Sequence, residues 1–174
     1  MYKVTDDFYT LAVFNRILEL VRECPINQVP ENYDGKRCSY GEARQYLTQE
    51  SELTNLILSK FPYKNDYRRK IEIGNDVNGF WLKPHSDHSK REVTVIYLEG
   101  QKNNGTTFHY KHELKRVRFV PNRAVFFEPD LRETYDKNSW QHSVEKINIL
   151  HFRRTLAINY VDTTWKDIED CYDR

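Results

Sequence analysis

Lys83-Pro84-His85-Ser86-Asp87, followed after a polar turn by Val93-Thr94-Val95-Ile96-Tyr97-Leu98, sets the reading of this chain. His85 and Asp87 are two residues apart, the spacing that sends two side chains off the same face of a strand. A second histidine stands far along, in Trp140-Gln141-His142-Ser143-Val144, as expected if a later strand folds over to complete the set. Two imidazoles and one carboxylate on one face leave the other coordination positions of a transition-metal ion open. Arg153-Arg154-Thr155-Leu156-Ala157-Ile158-Asn159-Tyr160 repeats the same alternation. Arg153, Thr155 and Ala157 share one face, and Arg154, Leu156 and Ile158 the other. Arg153 and Thr155 therefore point into one pocket and can hold a carboxylate through charge-assisted hydrogen bonds.

From Tyr67 onward the period is close to two. Short β-rich runs alternate with turn signals at Gly74-Asn75, Asn78-Gly79, Asn103-Asn104-Gly105 and Pro121-Asn122. The runs include Val93–Leu98, Val117–Pro121, Arg123–Phe127, Trp140–Val144 and Arg153–Tyr160. Eight or so short strands predict a mainly β jelly roll of two sheets. Ahead of them, Phe8, Leu11, Phe14, Ile17, Leu18 and Val21 recur at helical spacing up to Pro25. Ser39-Tyr40-Gly41-Glu42 has the capping-box pattern that opens a helix, and residues 50–61 supply a further helical stretch before Pro62. These N-terminal helices are expected to cover one sheet.

In order and spacing, the stretch from Arg68 to Val161 resembles the catalytic core of the Fe(II)/2-oxoglutarate-dependent dioxygenases, and most of all their small prolyl-hydroxylase-like branch. The resemblance implies a double-stranded β-helix with His85, Asp87 and His142 as iron ligands. It implies Arg153, with the hydroxyl of Thr155, as the anchor for the distal carboxylate of 2-oxoglutarate. Tyr97 is the position that matches a tyrosine often placed on the same carboxylate, although the family commonly has Thr where Val93 stands. The implied activity is hydroxylation of an unactivated carbon of a small-molecule or peptidyl substrate. O2 would be consumed, succinate and CO2 released, and ascorbate possible as a stimulant. The presence of Asp87 fits this activity, because the related halogenases lack that carboxylate. The alternative of another class is a cupin-like jelly-roll protein that binds a metal or sugar without oxidation; Arg153 and Thr155 argue against it, since it needs no anchor for a dicarboxylate.

Composition narrows the classes. At 174 residues the length prior gives one domain: helical support over 1–66, a jelly-roll core over 67–162 and a tail over 163–174. Basic and acidic residues balance at 27 against 26, so no overall field drives the chain to nucleic acid or to a membrane surface. No apolar run approaches the roughly 20 residues of a membrane helix. The start lacks a signal-peptide core, and three widely spaced cysteines, Cys24, Cys38 and Cys171, read as free thiols of a cytoplasmic protein. The clusters Arg68-Arg69-Lys70 and Lys115-Arg116 to Arg118 read as solvated strand faces. His88, His109, His112 and His151 carry no pattern that sets them apart. Phe80, Trp81 and Trp140 flank the ligand positions and suit either a cleft lining or the core. Substrate choice is expected to reside in the polar loops 27–37 and 130–138.

Overall fold

The strand that organises the molecule is β10 (Arg153–Asp162), antiparallel to β5 (Lys90–Gly100) on one side and to β3 (Tyr67–Asp76) on the other. The structure, a computed structural model, describes residues 2–24, 42–47, 49–76, 80–87, 90–110, 113–129, 140–145, 147 and 152–163. Outward from this centre run β8 (Ala124–Phe127) and β1 (Tyr2–Thr5) beyond β5, and β2 (Glu42–Leu47) beyond β3. A second sheet has the order β4 (Leu82–His85), β9 (Gln141–Val144), β6 (Thr106–Tyr110) and β7 (Glu113–Val117). All the strand pairs described are antiparallel, and the two sheets form the jelly roll.

Alternation along the central strands builds two separate cores. Leu156 and Ile158 of β10, Ile71 and Ile73 of β3, and Ile96 and Leu98 of β5 face away from the second sheet and are essentially unexposed. Against them pack Phe14, Ile17 and Val21 of α1 (Leu11–Glu23), and Leu53 and Ile57 of α2 (Glu52–Leu58). Burying each such side chain stabilises the fold by about 1.5–3 kcal/mol relative to exposure. On the other side, Val93, Tyr97, Val125 and Phe127 meet Phe108 and Val117 of the small sheet, with Phe119 beside them. A bulge interrupts the ladder of β5 with β10: Arg154 pairs with Glu99 but Thr155 with Tyr97, so Leu98 is the extra residue. Gly105 is obligatory at the mouth of β6, where an added Cβ would lie 1.8 Å from the Val117 carbonyl oxygen.

The helical expectation holds for α1, which is capped by the Thr10 hydroxyl, carries Phe14, Ile17 and Val21 inward and stops before Pro25. It also holds for α2, which is opened by a reciprocal capping box between Ser51 and Thr54. It fails over Glu42–Leu47, while Ser39, Tyr40 and Gly41 lie outside the described residues. There Glu42 begins β2, whose six residues pair with Asp76 to Ile71, and the ladder with β3 overrides a four-residue local signal. β1 carries no periodic signal at four residues and is formed by its pairing with β8. The reading of Arg68-Arg69-Lys70 as a solvated face is also corrected. Arg69 and Lys70 are buried; Arg69 donates to the Phe61 carbonyl at 2.8 Å, and Lys70 lies over the Tyr46 ring. Lys115, Arg116 and Arg118 are exposed, as expected. The loops 27–37 and 130–138, Cys38, Cys171, His88, His112, His151 and all but the first residue of the tail lie outside the described residues.

One residue ties the N-terminal segment to the sheet. Asn122, at φ 62°, receives the Tyr9 N–H on its Oδ1 at 3.0 Å and donates Nδ2 to the Tyr9 carbonyl at 2.9 Å. Its backbone N–H donates to Tyr97 O at 2.8 Å, and its carbonyl accepts from Phe8 N at 2.9 Å. Asparagine tolerates the left-handed backbone, and its side chain copies a strand partner for Tyr9. Asn122→Ala loses both side-chain bonds and adds backbone strain. It is expected to lower stability by about 2–4 kcal/mol in urea unfolding. A loss below about 0.5 kcal/mol, the range of an ordinary surface change, would show that this clamp is dispensable.

Candidate functional site

Two sequence-distant segments deliver the three ligand-type side chains to one point. β4 ends at His85, and β9 carries His142 directly across from it as a cross-strand partner, with ring centroids 4.2 Å apart. Asp87 is not on the strand, as the two-residue spacing suggested. It sits in the turn toward β5, where Lys90 N–H donates to its carbonyl at 3.0 Å. The turn nevertheless brings its carboxylate between the two rings: Oδ1 is 3.7 Å from His85 Nε2 and Oδ2 is 3.6 Å from His142 Nε2. One donor atom from each of the three residues lies within 4.8 Å of the others.

The protonation states suit a divalent cation. His85 Nδ1 is 2.9 Å from the Lys83 carbonyl, which fixes the proton on that nitrogen and leaves Nε2 as the ligand atom. Burial, reinforced by His85 and opposed by Asp87, pushes the His142 imidazole down to about 3, so it is neutral near pH 7. Burial alone would raise the Asp87 carboxyl, but Lys90, His142 and His85 outweigh it and hold the group well below the usual carboxylate range. Lys90 Nζ is 3.3 Å from Asp87 Oδ2. Two imidazole nitrogens and one carboxylate on one face fit Fe(II) and leave room for further ligands.

These residues line a cavity of about 170 Å³ between the sheets, whose opposite wall is β10. Arg153, Thr155, Ala157 and Asn159 line it in sequence. Arg154 points the other way and pairs with Glu99 at 2.6 Å. The strand parity read from sequence is the one observed. Arg153 is 4 % exposed, with Nη1 donating to Asp76 Oδ2 at 2.6 Å and Nε to the Asn104 carbonyl at 2.9 Å. Those bonds use two of a guanidinium's five N–H donors and fix its plane, leaving capacity for a carboxylate. Tyr97 is fully buried behind the lining. Its hydroxyl donates to Thr106 Oγ1 at 2.9 Å, and Thr106 is the residue on the cavity wall. Phe80 is both buried and part of the wall; Trp81 lies outside it, and Trp140 stacks on Tyr110. His109 bonds Ser143 Oγ at 2.7 Å, away from the triad.

Sequence reasoning missed Asp76, Asn104, Thr106 and Lys90. A signal for Asp76 existed, since its even spacing from Gly74 and Glu72 places it on the same face of β3, but its partnership with Arg153 depends on the register of β3 against β10. Because the pair is buried, removing one partner strands a charge. Asp76→Ala is expected to cost about 3–5 kcal/mol. Arg154→Ala, at a partly exposed pair, should cost no more than about 1 kcal/mol. Urea unfolding of the two variants gives the comparison, and equal losses would place the two arginines in equivalent environments.

No protein-family model matches the sequence, and no curated protein is detectably similar to it. Solved structures are. A prolyl-4-hydroxylase from Pseudomonas putida superposes with a TM-score of 0.64 at 13% identity, covering 92% of each chain. The viral collagen prolyl hydroxylase of Paramecium bursaria Chlorella virus-1, in its 2OG complex, gives 0.62 at 12%, covering 93% of this chain and 96% of that one. The non-heme alpha-ketoglutarate-dependent epimerase SnoN from nogalamycin biosynthesis gives 0.63 at 12%, covering 94% and 78%. The fold is that of the 2-oxoglutarate oxygenases, with prolyl hydroxylases among its neighbours. Among the described residues no helix is long and apolar enough to cross a membrane.

Proposed function

We propose that this chain, with the fold of the prolyl-hydroxylase-like oxygenases, is itself an Fe(II)- and 2-oxoglutarate-dependent oxygenase that hydroxylates a carbon of a small-molecule or peptidyl substrate. One observation carries the reading: a His85–Asp87–His142 face and a buried, oriented Arg153 line the same cavity. Neither a bare metal site nor a sugar-binding jelly roll needs a guanidinium at that depth. The neighbouring epimerase shows that one fold serves different reactions, so hydroxylation rests on the likeness to prolyl hydroxylases and on the carboxylate ligand.

His85, Asp87 and His142 hold the iron, and Arg153 with Thr155 receives the distal carboxylate of 2-oxoglutarate. Bound Fe(II), with 2-oxoglutarate and O2, supplies the oxidation through decarboxylation to succinate and CO2. The protein's part is placement and exclusion. The Lys83 carbonyl fixes the His85 tautomer, and Lys90 keeps Asp87 ionised and aimed between the histidines. Asp76 and the Asn104 carbonyl hold the Arg153 fork so that it meets a carboxylate without first losing rotamer freedom. Tyr97 bonds to Thr106 and stacks on Phe119 at 4.6 Å, backing the cosubstrate end with a dry wall. Val93, Val95 and Phe127 supply apolar lining beside the metal ligands and keep bulk water from them.

Calorimetry with the Fe(II)-loaded protein kept from oxygen should show 2-oxoglutarate binding that N-oxalylglycine displaces, and succinate should form slowly in air with ascorbate. His85→Ala, Asp87→Ala and His142→Ala should each lose iron binding and turnover. Arg153→Ala should raise the apparent KM for 2-oxoglutarate about a hundredfold or more, the equivalent of about 3–5 kcal/mol. Thr155→Val, gentler on the fold, should raise it several-fold. Absence of 2-oxoglutarate binding at millimolar concentration would transfer the chain to the cupin-like class.

A further inference from the structure

The end of the cavity away from Arg153 holds a pair of hydrogen-bond acceptors that neither the metal nor the cosubstrate uses. Asn159 of β10 is fully buried and lines the cavity, and its Nδ2 donates to Glu72 Oε1 of β3 at 3.1 Å. A carboxylate accepts only, so this bond fixes the amide orientation and leaves Oδ1 as the second polar atom. Among the described residues that Oδ1 has no hydrogen-bond partner. A buried amide oxygen without a donor is costly, and on a residue of a cavity wall a ligand can bring that donor. Glu72 is half-buried on the same wall, with Tyr46 across from it in the register of β2 and β3.

This pair lines the same cavity as the triad, and register relates the two. Asn159 is opposite Val93 in β5, Val93 is opposite Phe127 in β8, and the Phe127 ring lies 4.8 Å from that of His142. Arg153 is six residues earlier, at the start of β10. A group bound at Glu72 and Asn159 therefore lies in the same cavity as the triad, toward the end of β10 away from the cosubstrate anchor. The lysines of this end have other engagements: Lys90 is with Asp87, and Lys70 Nζ sits 4.1 Å from the Tyr46 ring centroid.

From this arrangement we infer that the substrate carries a nitrogen cation, an ammonium or guanidinium group with at least two N–H donors, held between the Glu72 carboxylate and Asn159 Oδ1. The inference rests on the oxygenase reading for the word substrate, but the subsite stands on the residues themselves. A hydroxyl has one proton to donate and satisfies one acceptor of the two; a cation with two N–H groups satisfies both and meets the Glu72 charge. The carbon to be oxidised would then be one that the held nitrogen places in front of the His85–Asp87–His142 face.

The test uses matched probes on the full chain without metal or cosubstrate, so that it is independent of turnover. N-acetyl-L-lysine amide is compared with N-acetyl-L-norleucine amide, and N-acetyl-L-arginine amide with N-acetyl-L-citrulline amide, by ligand-observed NMR titration. In at least one pair the cationic member should bind about tenfold to a hundredfold more tightly, as charge-assisted hydrogen bonds imply. Glu72→Gln, a substitution at a half-buried position that keeps the shape, should remove most of that preference. Asn159→Ala, with its fold checked by circular dichroism, should weaken the cationic member. Equal binding within both pairs, a preference that survives Glu72→Gln, or no binding by either cation would each overturn the inference. Binding of 2-oxoglutarate to the Mn(II)-loaded chain, measured separately, reports on the oxygenase reading. If that fails while the cation preference stands, a cation-binding cavity remains and the oxygenase reading falls; the opposite result leaves an oxygenase with another substrate class.

Discussion

The alternation of side chains along β10 is the constraint on which the rest depends. With β5 on one flank and β3 on the other, every second residue must enter the helix-covered core and the others must enter the cavity. Leu156 and Ile158 are committed to the first, and Arg153, Thr155, Ala157 and Asn159 to the second. A slip of one residue would bury Arg153 among isoleucines and push Leu156 into a polar cavity. Register is therefore enforced by both faces at once, and the proposed cosubstrate anchor and substrate contact inherit their positions from the same ladder.

The site is dense in buried polar groups, which is costly unless each is matched. Arg153 is matched by Asp76 and the Asn104 carbonyl, Tyr97 by Thr106, and Asp87 by Lys90 and two imidazoles. The pairing of Arg153 with Asp76 sets a balance. The carboxylate orients the guanidinium and offsets the cost of burying it, while taking part of the charge that would otherwise attract a dicarboxylate. Asn159 Oδ1 is one buried acceptor left unmatched, on a residue of the cavity wall where a substrate would lie. Stability and recognition thus draw on the same few residues from opposite sides.

The metal position illustrates how loosely local geometry and final placement can be linked. His85 and Asp87 are not consecutive outward-facing residues of one strand, because β4 ends at His85. The turn that follows reaches the same result by another route, with the Asp87 carbonyl taking Lys90 N–H and its carboxylate swinging between the histidines. The spacing pointed to residues whose side chains do converge, for a reason that only partly applies.

The sequence by itself determined the features that depend on periodicity. The jelly-roll strands from Tyr67 onward, the helix from Leu11 and the shared face of Arg153 and Thr155 follow from intervals of two and of three to four, which chain geometry imposes locally. The resemblance to a known core, carried by His85, Asp87, His142 and the Arg-x-Thr pair, was also legible there, at identities where comparison of sequences alone found no relative. What tertiary structure decided was everything that rests on pairing between distant segments. Glu42–Leu47 became a strand in spite of a helix-opening pattern because β3 offered it a ladder, and Tyr2–Thr5 became one because β8 did. Asp76 met Arg153, Thr106 took the cavity wall in front of Tyr97, and Glu72 met Asn159 for the same reason. A residue's own neighbours fix which way it faces, but only the register of the strand beside it fixes what it faces, and that register is set by the packing of the whole sheet.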